Sequence, residues 1–201
     1  MSERSIILRP WEARAFAEGR KTQIMRVVRP QPYPSKPGVL GYCVGDFVWP
    51  HPGRPRVFTI SNRSGGPDGW DRQYSPFGRP GTVLWGRETW ADLQEDGVCY
   101  RATDEGELAV IPNWRSPVTM PRHAARTVRR VAAVRVMRVQ EISEADAVAQ
   151  GIQLGGPIGH LPSYIKSPYA YHHAQQFDAD NGHGAWDANL WVFVADLEDV
   201  R

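Results

Sequence analysis

The sequence predicts a β-rich α+β fold: a small mixed β-barrel with peripheral helices and long loop insertions. Three observations lead to this fold class. Eight Trp, 19 Gly and 17 Pro occur among 201 residues, which is typical of a loop-rich β or α+β protein and not of a helical bundle. Runs rich in β-branched and aromatic residues are more frequent than amphipathic helical segments. These runs follow one another without alternating βαβ units, which disfavours a doubly wound sheet.

The first elements are a strand, a helix and a second strand. Residues 6–8 form a short apolar run. Pro10 then begins a helix, because its missing N–H costs nothing in the first turn, and Gly19 ends the helix in the position that favours a left-handed backbone. The segment "TQIMRVVR" (22–29) is predicted as the next strand and ends before Pro30.

The middle of the chain is rich in loops. Residues 30–42 contain four Pro and are predicted as a loop, and residues 44–49 as a strand. A loop-rich insertion is predicted at about 50–79, ordered only if Trp70, Tyr74 and Phe77 dock against the rest of the chain. The stretch "PGTVLWGRETWA" (80–91) is the clearest turn followed by a strand, and "GVCYRA" (97–102) is its predicted hairpin partner.

The last third contains a long strand, two helices and a final strand. In "TVRRVAAVRVMRV" (127–139) the apolar alternation changes phase, which predicts a β-bulge near 130–133. Ser143 and Asp146 form a weak capping box for a helix that ends at Gly151. A second helix is predicted at about 169–179. The segment "NLWVFVADLEDV" is apolar on both faces, which is typical of a central strand.

Composition also narrows the class of protein. A single domain over residues 1–201 is predicted, because 41% hydrophobic residues suffice for one core. The chain has no run of about 18 apolar residues and no signal-peptide pattern at its beginning, so a cytoplasmic protein that does not bind membranes is expected. The net charge of +2 excludes a global basic field. Only Lys21, Lys36 and Lys166 are lysines among 24 Lys and Arg residues; arginine suits phosphate and base edges, although GC-rich coding explains the bias equally well.

Cysteine and histidine patterns predict neither a metal nor another cofactor. Cys43 and Cys99 match no zinc or redox spacing, so two free thiols are expected, with a disulfide as the alternative. His172 and His173 are adjacent, so on a helix they point about 100° apart and cannot readily bind one ion. The other histidines are isolated, whereas a zinc site needs three or four converging ligands.

Four sequence blocks carry a family resemblance. "GRKTQIMR" resembles the GxKxxxxR signature of ASCH domains, relatives of the PUA fold, with Gly19, Lys21 and Arg26 at the fixed positions. The segment "PGTVLWGRETWA", the long strand leading into "ISEADAVAQGI", and "WDANLWVFVADLE" resemble the phage and prophage branch of that family in the same order. The resemblance spans nearly the whole chain, with 50–79 least covered.

The resemblance implies a PUA-like β-barrel with a helix at its mouth and a cleft beside it. It implies that the cleft binds RNA or modified nucleosides, and the leading hypothesis is therefore binding of RNA, single-stranded nucleic acid or a modified nucleoside. No cofactor and no membrane partner are expected. The oligomeric state, monomer or weak dimer, stays open. A different hypothesis is a phage-encoded interaction protein in which the 50–79 insertion binds a host or virion partner.

One small ASCH branch hydrolyses acetylcytidine with a Lys, a Thr and a Glu. The resemblance places these residues at Lys21, Ile24 and Gln150. Ile has no nucleophile and the Gln amide is no general base, so binding is the leading hypothesis and amide hydrolysis of an acylated cytidine or related base is the alternative. For the hydrolase, the candidate catalytic residues are Lys21, Thr22 as a displaced substitute, and Glu88.

The candidate binding residues lie on two strands. On the first, Lys21, Gln23 and Arg26 are expected at the cleft, where the cations would hold a phosphate or a base carbonyl. The alternative is an edge strand that uses charge against aggregation. On the second, "LWGRETWA", Glu88 is expected to pair with Lys21 or Arg26, or to accept from the exocyclic amine of cytosine. The alternative for Glu88 is a structural salt bridge.

Aromatic and arginine side chains complete the predicted site. Trp90 is the candidate stacking wall beside Arg87 and Glu88, and at least one of Trp85, Trp90, Trp114 and Trp191 is expected to face the cleft. Six arginines on or before the long strand either track phosphates or form a solvated polar face. They are Arg122, Arg126, Arg129, Arg130, Arg135 and Arg138.

Overall fold

The computed structural model describes most of the chain. The described residues are 2–29, 31, 47–50, 57–61, 71–94, 97–106, 113–155 and 167–200, with backbone only at 47–50, 57–61 and 71–74. Cys43 and the side chains of Trp70 and Tyr74, on which predictions were made above, lie outside this description.

The predicted elements recur in order, with two additional strands in the 50–79 insertion, the predicted strand 80–91 divided in two, and a short helix at the end of the predicted strand 97–102. The strands are β1 Glu3–Ile7, β2 Gln23–Val27, β3 Phe47–Pro50, β4 Val57–Ser61, β5 Asp71–Tyr74, β6 Val83–Arg87, β7 Trp90–Asp92, β8 Val98–Tyr100, β9 Val128–Arg138 and β10 Trp191–Asp199. The helices are α1 Pro10–Ala17, α2 Arg101–Asp104, α3 Glu144–Ala149 and α4 Pro168–Asn181, with short 3-10 turns at Pro117–Thr119, Arg122–Ala124 and Val139–Glu141.

The main sheet has five strands in the order β1-β6-β9-β10-β2. The β1–β6 pair is parallel and the other three pairs are antiparallel. The strand β10 lies between β9 and β2, as its two apolar faces predicted. The mixed α+β class with a sheet-rich core is therefore confirmed. Within the described residues β1 and β2 are the two edges of this sheet, so its closure into a barrel is not confirmed.

Helix α1 connects the two edge strands and packs on one face of the main sheet. Its Ala13 and Phe16 pack in one core with Leu8, which follows β1, and with Ile24 and Val28 from the β2 segment. The helix ends as predicted, with Gly19 at φ 72°. Burial of these apolar side chains, and not helix propensity, holds so short a helix in place.

Two hydrophobic cores lie on opposite faces of the main sheet. The first contains Phe193 and Ala195 of β10 together with α1. The second contains Val192 and Val194 of the same strand and is covered by α3 and α4, for instance by Phe177. The alternation of β10 therefore buries both of its faces.

A bulge in β9 confirms the predicted change of phase. Asp196 of β10 is opposite Ala133, but the next residue, Leu197, is opposite Val131, so Ala132 has no partner in the register. Because of this extra residue, Val131 points into the same core as Val134 although the two positions differ in parity.

The predicted loop insertion contains two strands that the sequence pattern did not indicate. Strands β3, β4 and β5 form an antiparallel three-stranded sheet. Phe77, just after β5, is 0% exposed and belongs to the first core, so this end of the insertion docks on the main sheet. The predicted hairpin between 80–91 and 97–102 is confirmed only for the end of its first segment, where β7 pairs with β8. The single-domain organisation stays a prediction.

The end of α3 meets the segment before β2 at Gly151. Ser143 caps α3 by accepting a hydrogen bond from the Asp146 backbone N–H, as predicted. Gly151 then adopts φ 81°, and a Cβ atom there would lie 2.9 Å from Ala15 Cβ and 3.2 Å from Lys21 Cβ. Glycine is thus required both by backbone conformation and by close packing.

Among the described helices, none is long and apolar enough to cross a membrane.

We expect Gly151→Ala to lower the free energy of unfolding by about 2–4 kcal/mol, because left-handed backbone strain and overpacking add. Gly97→Ala is the matched control, since Gly97 has φ 85° but nothing within 4 Å of the added Cβ. Urea denaturation of both variants measures the difference. Equal losses in the two variants would show that the contact with Ala15 and Lys21 costs nothing.

Candidate ligand-binding cleft

A cleft of about 790 Å³ opens where α1, α2 and α4 approach one another. Its wall also includes the turn after β6 and the segment that follows α3. This volume is typical of small-molecule sites. Polar, charged and aromatic side chains in the wall include Trp11, Arg14, Arg20, Glu88, Thr89, Arg101, Glu105, Gln153, Gln175 and Gln176.

Trp11 is the tryptophan that lines the cleft in the part of the chain that the structure describes. Its indole Nε1 donates to both carboxylate oxygens of Asp180, at 3.2 and 3.1 Å. Arg9 Nη1 lies 3.0 Å from the same carboxylate. The Trp11 ring is therefore held between α1 and α4 in a fixed orientation, which favours stacking of a planar ligand.

The predicted tryptophan wall lies elsewhere. Trp90 is 5% exposed and packs with Met120 and Ala124 in a small third core, so it does not line the cleft. Trp191 is buried in the first core, and Trp85 and Trp114 are also absent from the cleft wall. None of these four tryptophans lines the cleft described here; the tryptophan in its wall is Trp11, for which the sequence pattern indicated no binding role.

Lys21 lies behind Trp11 and not in the cleft. Its side chain is 0% exposed, and its Nζ donates to the Gln150 backbone oxygen at 2.8 Å and to Gln150 Oε1 at 3.0 Å. The same nitrogen lies 4.7 Å from the centre of the Trp11 ring. A cation here is attracted by the π face of the indole, so Lys21 supports the cleft wall from inside.

Glu12 is the acidic partner of two cations. Its carboxylate accepts from Arg26 Nη1 at 2.7 Å and Nη2 at 2.8 Å, a bidentate pair, and lies 3.8 Å from Lys21 Nζ. The backbone N–H of Arg9 donates to it at 3.0 Å. Burial raises the pKa of the Glu12 carboxyl, but the charges of Arg26 and Lys21 and these hydrogen bonds outweigh burial, and the pKa is lowered overall.

For Lys21, in contrast to Glu12, the effect of burial on the pKa is larger than the effect of the opposite charge beside it. Loss of hydration lowers the pKa of its ammonium group to about 7, and the neighbouring Arg26 and Arg9 charges lower it as well. The Glu12 carboxylate opposes this shift but does not cancel it, because the loss of hydration is the larger effect. Lys21 therefore exchanges its proton near neutral pH.

A buried hydrogen-bond chain runs from Lys21 to the surface. Gln150 Nε2 donates to Gln23 Oε1 at 2.6 Å. Gln23 Nε2 donates in turn to Asp146 at 2.9 Å and to Asp196 at 2.8 Å. Gln23, predicted to contact a ligand, is 3% exposed and instead links α3 to β10. Gln150, at the position where the resemblance places a Glu, does contact Lys21.

The remaining predicted site residues are dispersed. Glu88 lines the cleft, but its carboxylate pairs with Arg126 at 2.9 and 2.8 Å, not with Lys21 or Arg26. This is the structural salt bridge considered as its alternative. Arg26, held by Glu12, lines a separate small cavity of about 20 Å³. Arg87 lies against Trp85, with its guanidinium carbon 4.7 Å from the ring centre.

The catalytic constellation expected for a hydrolase is not assembled. Thr22 is exposed and does not line the cleft, while its backbone joins Ala149 and Leu197. Ile24 is 1% exposed within the first core, so position 24 of β2 provides no hydroxyl group for a reaction at Lys21. The described residues also contain no group of three His, Cys, Asp or Glu side chains that could hold a metal ion.

Most charges on the cleft wall have partners of opposite sign. Arg20 Nε donates to Glu18 at 2.6 Å, and Arg101 Nε donates to Glu105 at 2.8 Å. With Glu88 held by Arg126, the wall is close to neutral. Arg14 differs from the other cations, because in the described part of the chain it contacts a backbone oxygen and no carboxylate.

The six arginines on or before β9 do not form an open basic stripe. Five of them pair with carboxylates, and Arg138 lies against the Trp191 ring. The ion pairs are Arg122–Glu3, Arg126–Glu88, Arg129–Asp199, Arg130–Glu198 and Arg135–Asp196. This pairing favours the polar-face interpretation over phosphate tracking.

Comparison with known proteins adds no assignment. The chain matches no protein-family model, no curated protein and no solved structure.

We expect Lys21 to titrate near pH 7. Because the chain contains three lysines, ¹³C-lysine labelling gives a simple NMR spectrum, and Lys36→Arg and Lys166→Arg assign the Lys21 signal. Glu12→Gln should lower the Lys21 pKa further, since it removes the stronger of the two negative charges, Glu12 and Asp180, that stabilise the ammonium. A Lys21 midpoint near pH 10, or an upward shift in Glu12→Gln, contradicts this account of the site.

The Lys21 proton also links stability to pH. The folded-state pKa of about 7 lies below the unfolded value of 10.5, so the unfolded chain holds more protons between these limits. Across that window the wild type should gain stability with rising pH, relative to Lys21→Met, by on the order of 1 kcal/mol per pH unit. Urea unfolding of both proteins at pH 6, 7, 8 and 9 tests this, and parallel curves would refute it.

Proposed function

We propose that the protein is a cytoplasmic binding protein for a modified nucleoside, and that the ligand occupies the cleft beside α1. The observation that carries this proposal is the composition of the cleft: one fixed indole, several neutral amide side chains and an almost neutral wall within about 790 Å³. An aromatic platform with a few polar groups fits a single base, because stacking contributes about 1–3 kcal/mol per base.

The polar side chains of the wall suit the edges of a base. Thr89, Gln153, Gln175 and Gln176 line the cleft, and each carries both donor and acceptor capacity. Gln176 Nε2 donates to Asp180 at 3.2 Å, which positions it next to Trp11. Base edges combine donors and acceptors in the same way, so amide side chains can pair with them.

The charge balance favours a nucleoside over a strand of nucleic acid. A strand needs several unpaired cations along its backbone, and its affinity then falls steeply with salt. Arg20, Arg101 and Arg126 are paired with carboxylates in or beside the cleft. RNA and single-stranded nucleic acid, both expected from the resemblance, are therefore the less favoured ligands.

A PUA-like fold is part of the same proposal. The resemblance of "GRKTQIMR" to the ASCH signature supports it, and so does the packing of α1 against residues of both edge segments, β1 and β2. In this arrangement Arg26, whose Nη2 also donates to the Ile7 oxygen at 2.8 Å, joins the two edges in place of a closing ladder. The cleft then lies beside the helix at the mouth, as the resemblance implies.

Hydrolysis of an acylated cytidine is the second candidate, favoured by the Lys21 pKa of about 7. A neutral amine can act as a base at this pH. The same lysine is covered by Trp11 and bonded to Gln150, and Ile24 offers no nucleophile. Binding is therefore placed first, and turnover of acetylcytidine is an outcome that the experiment below detects.

The test is calorimetric titration with a panel of ribonucleosides that includes acetylcytidine, with chromatography of the mixtures for released cytidine. We expect at least one nucleoside to bind, and Trp11→Leu to weaken it roughly fivefold to a hundredfold through loss of stacking. Trp85→Leu is the matched control, because Trp85 does not line the cleft.

Two results would count against the proposal. The first is that no nucleoside binds while single-stranded RNA binds with an affinity that falls as several powers of salt concentration. The second is equal nucleoside affinity in Trp11→Leu and the wild type. Release of cytidine would instead make the hydrolase the correct assignment.

A further inference from the structure

We propose that the ligand of the cleft carries one phosphate group, so that it is a nucleoside monophosphate, and that Arg14 binds this phosphate. The inference rests on the proposed function and extends it from a nucleoside to a nucleotide. It starts from the one cation on the cleft wall that has no carboxylate partner among the described residues.

The Arg14 guanidinium is fixed but only partly used. Its Nε donates to the Ala102 backbone oxygen at 2.8 Å, which ties the side chain to α2. Its two terminal nitrogens have no acceptor in the described parts of the chain, although Arg14 lines the cleft. A guanidinium held at Nε presents its Nη atoms as a fork, the arrangement that binds a phosphate with two parallel hydrogen bonds.

The other cations of the wall limit the ligand to one phosphate. Arg20 is occupied by Glu18 and by the Gly151 backbone oxygen, and Arg101 by Glu105. The carboxylates of Glu88 and Glu105 are each paired with an arginine, so they do not prevent one phosphate from binding, and these arginines are not free to bind a second one. A single free guanidinium matches a single anionic group.

The spacing between Trp11 and Arg14 agrees with the size of one nucleotide. The two residues are three apart on α1, so they lie on the same face with Cβ atoms about 5–6 Å apart. A base stacked on Trp11 would leave its ribose over the next part of the helix, and its phosphate at Arg14. Both side chains line the same cleft, which this arrangement requires.

The experiment compares each nucleoside of the panel with its 5′- and 3′-monophosphates by calorimetric titration at pH 7.5, where the phosphate is mostly a dianion. For the base that binds, we expect one monophosphate to bind about tenfold or more tightly than the nucleoside, as charged hydrogen bonds contribute about 1.5–3 kcal/mol. Arg14→Gln should abolish this advantage, so that the nucleoside and its monophosphate bind this variant equally. Arg14→Lys, which keeps the charge without the fork, should retain part of it.

Arg79→Gln is the matched control, since Arg79 is exposed, outside the cleft wall and equal in charge. It should leave the phosphate advantage intact. The inference is overturned if nucleoside and monophosphate bind equally, if Arg14→Gln keeps the advantage, or if inorganic phosphate alone binds as tightly as the nucleotide. If the nucleosides bind and the phosphate makes no difference, the proposed function stands and only this extension fails.

Discussion

The buried carboxylate of Glu12 is the interaction on which the rest of the structure depends. It receives both terminal nitrogens of the partly exposed Arg26 and lies 3.8 Å from Nζ of the fully buried Lys21, so one carboxylate serves two basic side chains. Removing one partner of such a buried group leaves an uncompensated charge, which is more costly than the pair is stabilising. Through this carboxylate α1 is fixed to β2, and the face of α1 that carries Trp11 and Arg14 is directed at the cleft.

The cleft is therefore built from the core outwards. Lys21 lies beneath the Trp11 ring, Gln150 orients Lys21, and Gln23 orients Gln150 through a bond of 2.6 Å. None of these three supporting residues touches the cleft, yet each restricts the position of the indole. A wall of this kind loses little freedom when a ligand binds, which improves affinity without adding contacts.

Local features of the fold were predictable from the sequence, whereas long-range pairings were not. The glycine end of α1, the serine cap of α3 and the bulge of β9 follow from signals within a few residues, and all three are present. Glu88 pairs with Arg126, 38 positions away, and no local pattern indicates that choice over Lys21. The role of Trp11 was not predictable either, because one tryptophan in a helix is as compatible with a core as with a cleft.

The bulge at Ala132 is the place where β9 can lose a residue without turning a side chain to the opposite face. One extra residue sets the phase for everything on either side of it, because side chains alternate with a strict period of two. Deleting Ala132 would leave Ala133 opposite Asp196 and Val131 opposite Leu197, with Val131 and Val134 still facing the core, whereas deleting a residue elsewhere in β9 would turn part of the strand over. Among relatives of this chain, a one-residue deletion within β9 should therefore occur at the bulge, and other insertions or deletions should lie in the loops on either side of the strand.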